Sequence, residues 1–405
     1  MEKDIAILGA GKIGRGVVGL LFAREGYRLH LYDMYMEGMR QLEAQGYYDA
    51  RVTDGREIDE TTRIDAFDIV DSTEPEPIVE LLTRVDVAAC CVYEGAFQSI
   101  SHVIAEAVKR RCAEGDTAPL NVLLCVNALG APRKVRGYIE AELSEAERAY
   151  AAGHLGVCQV MVLAAGVPSE PGANPWQVVV SANPGLEIDA DAWVGKQLEV
   201  QHVSYVHGAE GHIYRKVYCG NMLHAMSAFM GAHKGLSYIC ECYQDPWIRS
   251  CITGAFNEAH DAVLQEYTFD GAEDAEWVAF IMAKLDAGVQ DPIDRVMAGA
   301  EEKLSHDNRF VGPALMCLRH GIVPFYLARG IAYGLVYLAG ERGIDLGDVE
   351  SLRQLVREVC GLAADDSPEA ADAAGDAVLV QLIEKQARDI LAAACCALVE
   401  VFNKI

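Results

Sequence analysis

The sequence predicts an α/β fold. An N-terminal Rossmann-type, doubly wound sheet with a β-excursion is followed by a mainly α-helical C-terminal domain. Three observations carry this. Apolar strand-like runs alternate with helical stretches through the first third of the chain. A glycine-rich turn follows the first of those runs. From about Gly208 the strand signal stops and long helical stretches follow one another. A chain of 405 residues is also too long for one compact core. The expected domains are 1–207 and 208–405.

The elements follow in order. Asp4–Leu8 is a short apolar strand, and 13–24 reads as a helix. Arg28–Tyr32 is a second strand running into Asp33. Runs 85–92 and 120–126 are further strands, and the βαβ rhythm predicts a mainly parallel sheet. Segment 48–65 alternates polar and β-prone residues, which suits an inserted β-excursion. Strand-like runs return at 154–163, 176–181 and 198–206. The helical part is broken near Asp245-Pro246, Asp291-Pro292 and Gly312-Pro313, and 363–368 reads as a surface loop entering a helix. The longest apolar stretch, 390–399, is too short to span a bilayer and reads as a buried helix.

Composition narrows the function. Sixty acidic against 34 basic side chains give a formal charge of −26. That balance argues against a nucleic-acid partner and against an anionic membrane surface, both of which need clustered Lys and Arg. A small-molecule partner is left. The thirteen cysteines are odd in number and sit mostly among apolar neighbours, as expected of reduced thiols in a cytoplasmic protein. Met1-Glu2-Lys3-Asp4 leads straight into the first strand, and no signal peptide is read there.

The strongest local motif is Gly9-Ala10-Gly11-Lys12-Ile13-Gly14, a GxGxxG between a strand and a helix. Gly9 permits the tight turn, Gly11 lets backbone approach a pyrophosphate, and Gly14 lets the helix pack close. The turn, including Lys12 and Ile13, then offers N–H groups and the positive helix end to phosphates. Asp33, after the second strand, stands where a carboxylate accepts from the adenosine ribose hydroxyls and repels a 2′-phosphate. NAD is the expected cofactor, with FAD the competing ligand.

In the second domain, Lys216, Asn221 and His224 fall within one broad arc of a helix at about 100° per residue. Lys can act as a general base, Asn can donate to a carbonyl or alkoxide oxygen, and His can orient a hydroxyl. By residue type alone, such a helix equally suits a solvated or interface face.

The Lys-x4-Asn-x2-His spacing resembles the signature of the polyol-specific long-chain dehydrogenases. The opening Gly-Ala-Gly-Lys-Ile-Gly-Arg-Gly, the strand from Val85-Asp86 to Val92, and the segment from Pro119 to Cys125-Val126-Asn127 resemble the same family in the same order. The resemblance implies metal-independent hydride transfer with NAD between a hexitol and its ketose, first of all mannitol 1-phosphate and fructose 6-phosphate. It makes Lys216 the general acid/base. Asn127 and Asn221 hold the reacting oxygen, and His224 bonds a neighbouring hydroxyl. Val92 and Asn127 lie on the nicotinamide side. Arg295, Lys303 and Arg309 are left to bind the far end of the substrate.

The chain departs from the family pattern at three places. The usual Val-Asp-Arg-Ile is absent from 161–168. Val126 stands where Glu is common. In the stretch 294–304, two basic positions have become Ala298 and Glu302, with Glu301 adjacent. A non-phosphorylated polyol, or an aldonate or uronate, therefore remains open as substrate, as does a non-catalytic NAD-binding sensor. Cys240-Glu241-Cys242 lacks paired zinc-site spacing, and no metal is expected. Tyr93-Glu94 and the loop 306–309 are further candidates to border the site.

Overall fold

Ile5 and Ile7 of the first strand belong to one apolar cluster and Ala6 and Leu8 to another, all four fully buried. A strand buried on both faces requires a parallel sheet covered by helices on both sides. The computed structural model describes residues 3–54, 57–164, 166–167, 174–286, 288, 290–362 and 373–402. The chain divides into two units, Met1–Glu210 and Gly211–Ile405.

In the first unit the strands are β1 (Asp4–Leu8), β2 (Arg28–Tyr32), β3 (Tyr48–Thr53), β4 (Asp59–Ile64), β5 (Phe67–Val70) and β6 (Val87–Cys90). They continue with β7 (Leu120–Leu124), β8 (Leu155–Val162), β9 (Gly166–Val167), β10 (Val178–Ser181), β11 (Leu186–Asp189) and β12 (Val203–Val206). The main sheet has the order β12-β11-β8-β7-β6-β1-β2-β5. The run from β8 to β5 is parallel throughout. Within it, β5-β2-β1-β6-β7-β8 is the Rossmann order 3-2-1-4-5-6, which reverses direction between β1 and β6.

The β-excursion forms a second sheet, ordered β4-β3-β10-β9. β3 and β4 make an antiparallel pair, and β10 joins β3 in parallel from far along the chain. Three strands were not foreseen: the two-residue β9, β5 and β11. β5 carries Asp68, paired with Arg28, at the sheet edge. In β11, Glu187 and Asp189 alternate with buried Leu186 and Ile188. β5 and β11 both have too many acids to read as apolar runs. The predicted strand 198–206 shrinks to β12, because His202 before it takes a positive φ of 63°.

The second unit is built of helices. Its centre is Met222–His233, in which nine residues, from Met222 to Gly231, are buried. A helix apolar nearly all round needs neighbours on every side. Gly231 permits one close approach, since a Cβ there would lie 2.4 Å from the Cys242 Sγ. Pro246–Glu266 starts on Asp245, whose carboxylate accepts from the Trp247 and Ile248 N–H groups. Gly312-Pro313, predicted as a break, lies in the first turn of Val311–Arg319, where a missing N–H costs nothing. The loop predicted at 363–368 lies outside the described residues. The apolar stretch 390–399 falls within Ala373–Phe402, and Ile390 in it is buried. No helix among the described residues is long and apolar enough to cross a membrane.

Both predicted α-helical motifs contain a π-turn. Gly14–Gly19 and Lys216–Asn221 are π-helical, each leading into an α-helix, Leu20–Arg24 and Met222–His233. The assumed α-periodicity of the Lys-Asn-His motif is corrected accordingly. On an α-helix Lys216 and Asn221 would stand about 140° apart. The i→i+5 bonding of a π-turn brings residues five apart onto one face, a turn from each other.

Candidate active site

Gly9, Val92, Asn127 and Asp33 follow β1, β6, β7 and β2 respectively, so all lie at the carboxyl edge of the parallel strands. Dinucleotides bind at this edge, at the strand-order reversal. Gly9 has φ +101°, and a Cβ there would lie 2.9 Å from the Cys91 carbonyl and 3.1 Å from Val92 Cγ1. A Cβ on Gly14 would sit 2.1 Å from the Gly9 oxygen, whereas one on Gly11 would meet nothing within 4 Å. The turn is thus closed behind and open in front. Lys12 is exposed and lies alongside Gly166, while Ile13 packs on the core.

Ala10 is gripped from both ends. Its N–H donates to Asp33 Oδ2 at 2.9 Å, and its carbonyl accepts from Arg15 Nε at 2.7 Å. The other Asp33 oxygen accepts from the Tyr35 N–H at 3.0 Å. Arg15 is a residue to which the sequence reading gave no role. Its guanidinium is buried between Tyr48 and Trp176, 5.4 and 5.7 Å from the ring centroids, and donates to the Trp176 carbonyl at 2.9 Å. Burial lowers its pKa, opposed by the Tyr48 and Asp33 oxygens. The Tyr48 hydroxyl donates to the Arg15 carbonyl at 3.1 Å inside the π-turn. The second sheet therefore buttresses the glycine turn. Met34, Tyr35 and Tyr93 are exposed at the same strand edge, and Glu94 is held by Lys134. Below Val92, the Cys91 thiol bonds that of Cys125, which together with burial raises its pKa well above normal.

In the second unit Lys216 opens the π-turn and Asn221 closes it, both half-buried. His224 lies one turn on. Its Nδ1 is 3.2 Å from the Tyr243 hydroxyl and its Nε2 3.1 Å from Asp291 Oδ2. Burial lowers the His224 pKa, against the raising effect of Asp291. Burial pushes the Asp291 carboxyl up, but its bonds to Arg295 and His224 prevail and hold it low.

Arg295 therefore reaches the motif through Asp291, which its guanidinium fork grips with both nitrogens. Lys303 donates to the Ala298 carbonyl, and Arg309 to Asn308 Oδ1 at 3.2 Å. Lys303 feels the charges of Arg309 and Arg295, and burial first, then Arg309, lowers its pKa. Lys303 thus lies within electrostatic reach of both Arg309 and Arg295. Glu301 is turned away to Arg342 at 2.6 Å, while Glu302 acts on Lys303 and Arg309.

The sequence reading also gave no role to Arg215, Asp291 or Tyr243. Asp291 was visible only as half of an Asp-Pro break. Cys240 is half-buried and Cys242 buried. Among the described residues, His102, Glu106 and Glu142 make one cluster of metal-ligating types, with Lys109 already 2.6 Å from Glu106.

The sheet order and the open glycine turn define a dinucleotide-binding scaffold of Rossmann type. The description "Mannitol dehydrogenase Rossmann domain" matches residues 3–200, and "Mannitol dehydrogenase C-terminal domain" matches residues 210–371. The chain belongs to the mannitol dehydrogenase family and is a polyol dehydrogenase. It is 30% identical over 366 residues to mannitol-1-phosphate 5-dehydrogenase of Bacillus licheniformis, covering 89% of this chain and 96% of that protein. The enzyme of that name from Oceanobacillus iheyensis is 28% identical over 342 residues, covering 83% and 86%. Mannitol 2-dehydrogenase of Pseudomonas fluorescens, solved with NAD and D-mannitol, shares the fold with TM-score 0.72 at 13% identity. It spans 100% of this chain and 95% of its own. A D-sorbitol dehydrogenase follows with TM-score 0.66 at 13% identity, covering 96% and 93%.

Proposed function

We propose that this polyol dehydrogenase interconverts a hexitol phosphate, mannitol 1-phosphate, and its ketose, fructose 6-phosphate, without a metal. The observation that carries this is the π-turn of Lys216–Asn221, joined by His224–Asp291–Arg295 to the basic group of Arg295, Lys303 and Arg309. Both relatives at about 30% identity bear the name of that activity.

The cofactor is NAD, and the residues present fit it. Open space in front of Gly11 admits a pyrophosphate, and Asp33 presents a carboxylate to ribose hydroxyls. The chemistry NAD supplies when bound is acceptance of a hydride from the carbinol carbon and, in reverse, its donation. Lys216 takes the hydroxyl proton in oxidation and returns it in reduction. Asn127 and Asn221 donate N–H groups to the reacting oxygen, where negative charge develops. His224, kept neutral by burial, orients an adjacent hydroxyl once it exchanges one of its present partners. Arg309 and Lys303 bind the phosphate as a bidentate fork and a point charge.

One observation favours a second reading, with a non-phosphorylated polyol or a uronate as substrate. Arg295 is already held by Asp291, which leaves fewer cations for a dianion. The test is NADH oxidation with fructose 6-phosphate, fructose, tagaturonate and fructuronate. Turnover with the phosphate alone is the expected result. Turnover with fructose or a uronate alone establishes the second reading, and NADH binding without any turnover indicates a sensor.

A further inference from the structure

Arg215 directly precedes Lys216, at the point where the helix Ala209–Arg215 changes to the π-turn. Its side chain is 1% exposed, an extreme value for an arginine. Nη1 donates to Asp274 Oδ1 at 2.6 Å and to Glu273 Oε2 at 3.3 Å, and Nη2 donates to Glu273 Oε1. Both acids stand in the first turn of the helix Gly271–Lys284. The guanidinium also lies against two rings, 4.4 Å from the Phe269 centroid and 4.5 Å from that of Trp277. Asp274 takes a further bond from His260 Nε2 at 3.1 Å. A planar cation is thus fixed in its own plane by carboxylates and above that plane by aromatic faces.

A π-turn is a strained insertion and persists where its surroundings hold it. Gly220 within this turn has only Ile281 and Trp277 near its Cβ position, at 3.5 and 4.0 Å, so the turn has little side-chain packing at that point. Val217, Tyr218 and Cys219 of the turn are buried, and the residue at its start adds a charged anchor. We propose that Arg215 is a positioning residue: its anchored guanidinium holds the turn in i→i+5 register, so that Lys216 and Asn221 present one face to the reacting oxygen. Arg215 touches neither substrate nor cofactor in this scheme. The inference rests on Lys216 being the proton acceptor.

The test compares Arg215→Lys, Arg215→Met and Trp277→Leu with Lys216→Ala. It reads kcat, KM for NAD, NADH affinity and the primary isotope effect with polyol deuterated at the reacting carbon. A loosened turn misplaces the proton acceptor and lowers kcat by about 10²-fold in Arg215→Met, since displacements near 1 Å cost that much. NADH affinity stays within about twofold, because the glycine turn is untouched, and the isotope effect rises as hydride transfer becomes limiting. Arg215→Lys keeps the charge without the fork and recovers part of kcat. Trp277→Leu keeps the carboxylate bonds, gives a smaller loss, and serves if Arg215→Met does not fold. Parental kcat in Arg215→Lys and Trp277→Leu overturns the proposal, as does loss of NADH binding in step with kcat. If Lys216→Ala is dead while the Arg215 variants are parental, only the positioning role fails. Turnover by Lys216→Ala removes both readings.

Discussion

Each unit places a buried arginine at a π-turn and sets it against two aromatic rings, yet the two arginines bond to different partners. Arg15 donates to two carbonyls, those of Ala10 and Trp176. Arg215 donates to two carboxylates, Glu273 and Asp274. An arginine stays charged even when burial lowers its pKa, so Arg15 keeps a cation under the glycine turn. The charge of Arg215 is cancelled where it stands. The first brace thus supplies both shape and field to an anionic ligand. The second supplies shape alone, beside the lysine proposed here as proton acceptor. In a chain of net charge −26 this is an economical way to receive phosphates: one fixed cation and a row of N–H groups.

The comparison can be broken at several points. The largest effect belongs to Lys216→Ala, expected to lower kcat by about 10³-fold or more while NADH titration gives a parental dissociation constant. Weakened NADH binding in that variant would move the lysine to the cofactor side. Next is Gly14→Ala. Its Cβ would overlap the Gly9 oxygen, and a cost of about 2–3 kcal/mol should appear as a lowered denaturation midpoint together with lost NADH binding. Arg15→Met sharpens the contrast directly. KM for NAD rises roughly tenfold, as the glycine turn loses the buried cation and its bonds to the Ala10 and Trp176 carbonyls, and kcat changes much less. A kcat-only defect there would mean that the two arginines do the same job.

The smallest effect is on pH. The His224 pKa is lowered by burial, so in the window below the ordinary value of about 6.5 the unfolded chain binds the proton first. The stabilisation is complete above that value and is lost as pH falls through the depressed one. Thermal midpoints of the parent should therefore fall more steeply between pH 7 and 5 than those of His224→Gln. Equal slopes would show that Asp291 offsets the burial.

Much of this was legible in the residues. The apolar runs of β1, β6 and β7, the three glycines and Asp33 announce a dinucleotide fold, because each rests on local chemistry. The Lys-Asn-His spacing was equally visible. Its geometry was not, since a π-turn differs from an α-turn in one hydrogen bond and leaves no mark in the period. The braces were hidden for another reason. Trp176, Phe269 and Trp277 lie far along the chain from the arginines they cover, and nothing local links them. The pairing of Arg295 with Asp291 is not legible either, because Asp291, four residues before it, looks in sequence like part of a loop.

The second sheet sets an order on how the protein is made. Ala50 pairs with Val178, and Arg15 waits for the carbonyl of Trp176. Such distant partners close late, because loop entropy must be overcome before the contact repays it. During synthesis the glycine turn emerges among the first residues, but its buttress arrives only after the strands β6, β7 and β8 have been added. Nascent chains halted before residue 176 should carry the whole GxGxxG motif and still fail to retain NADH.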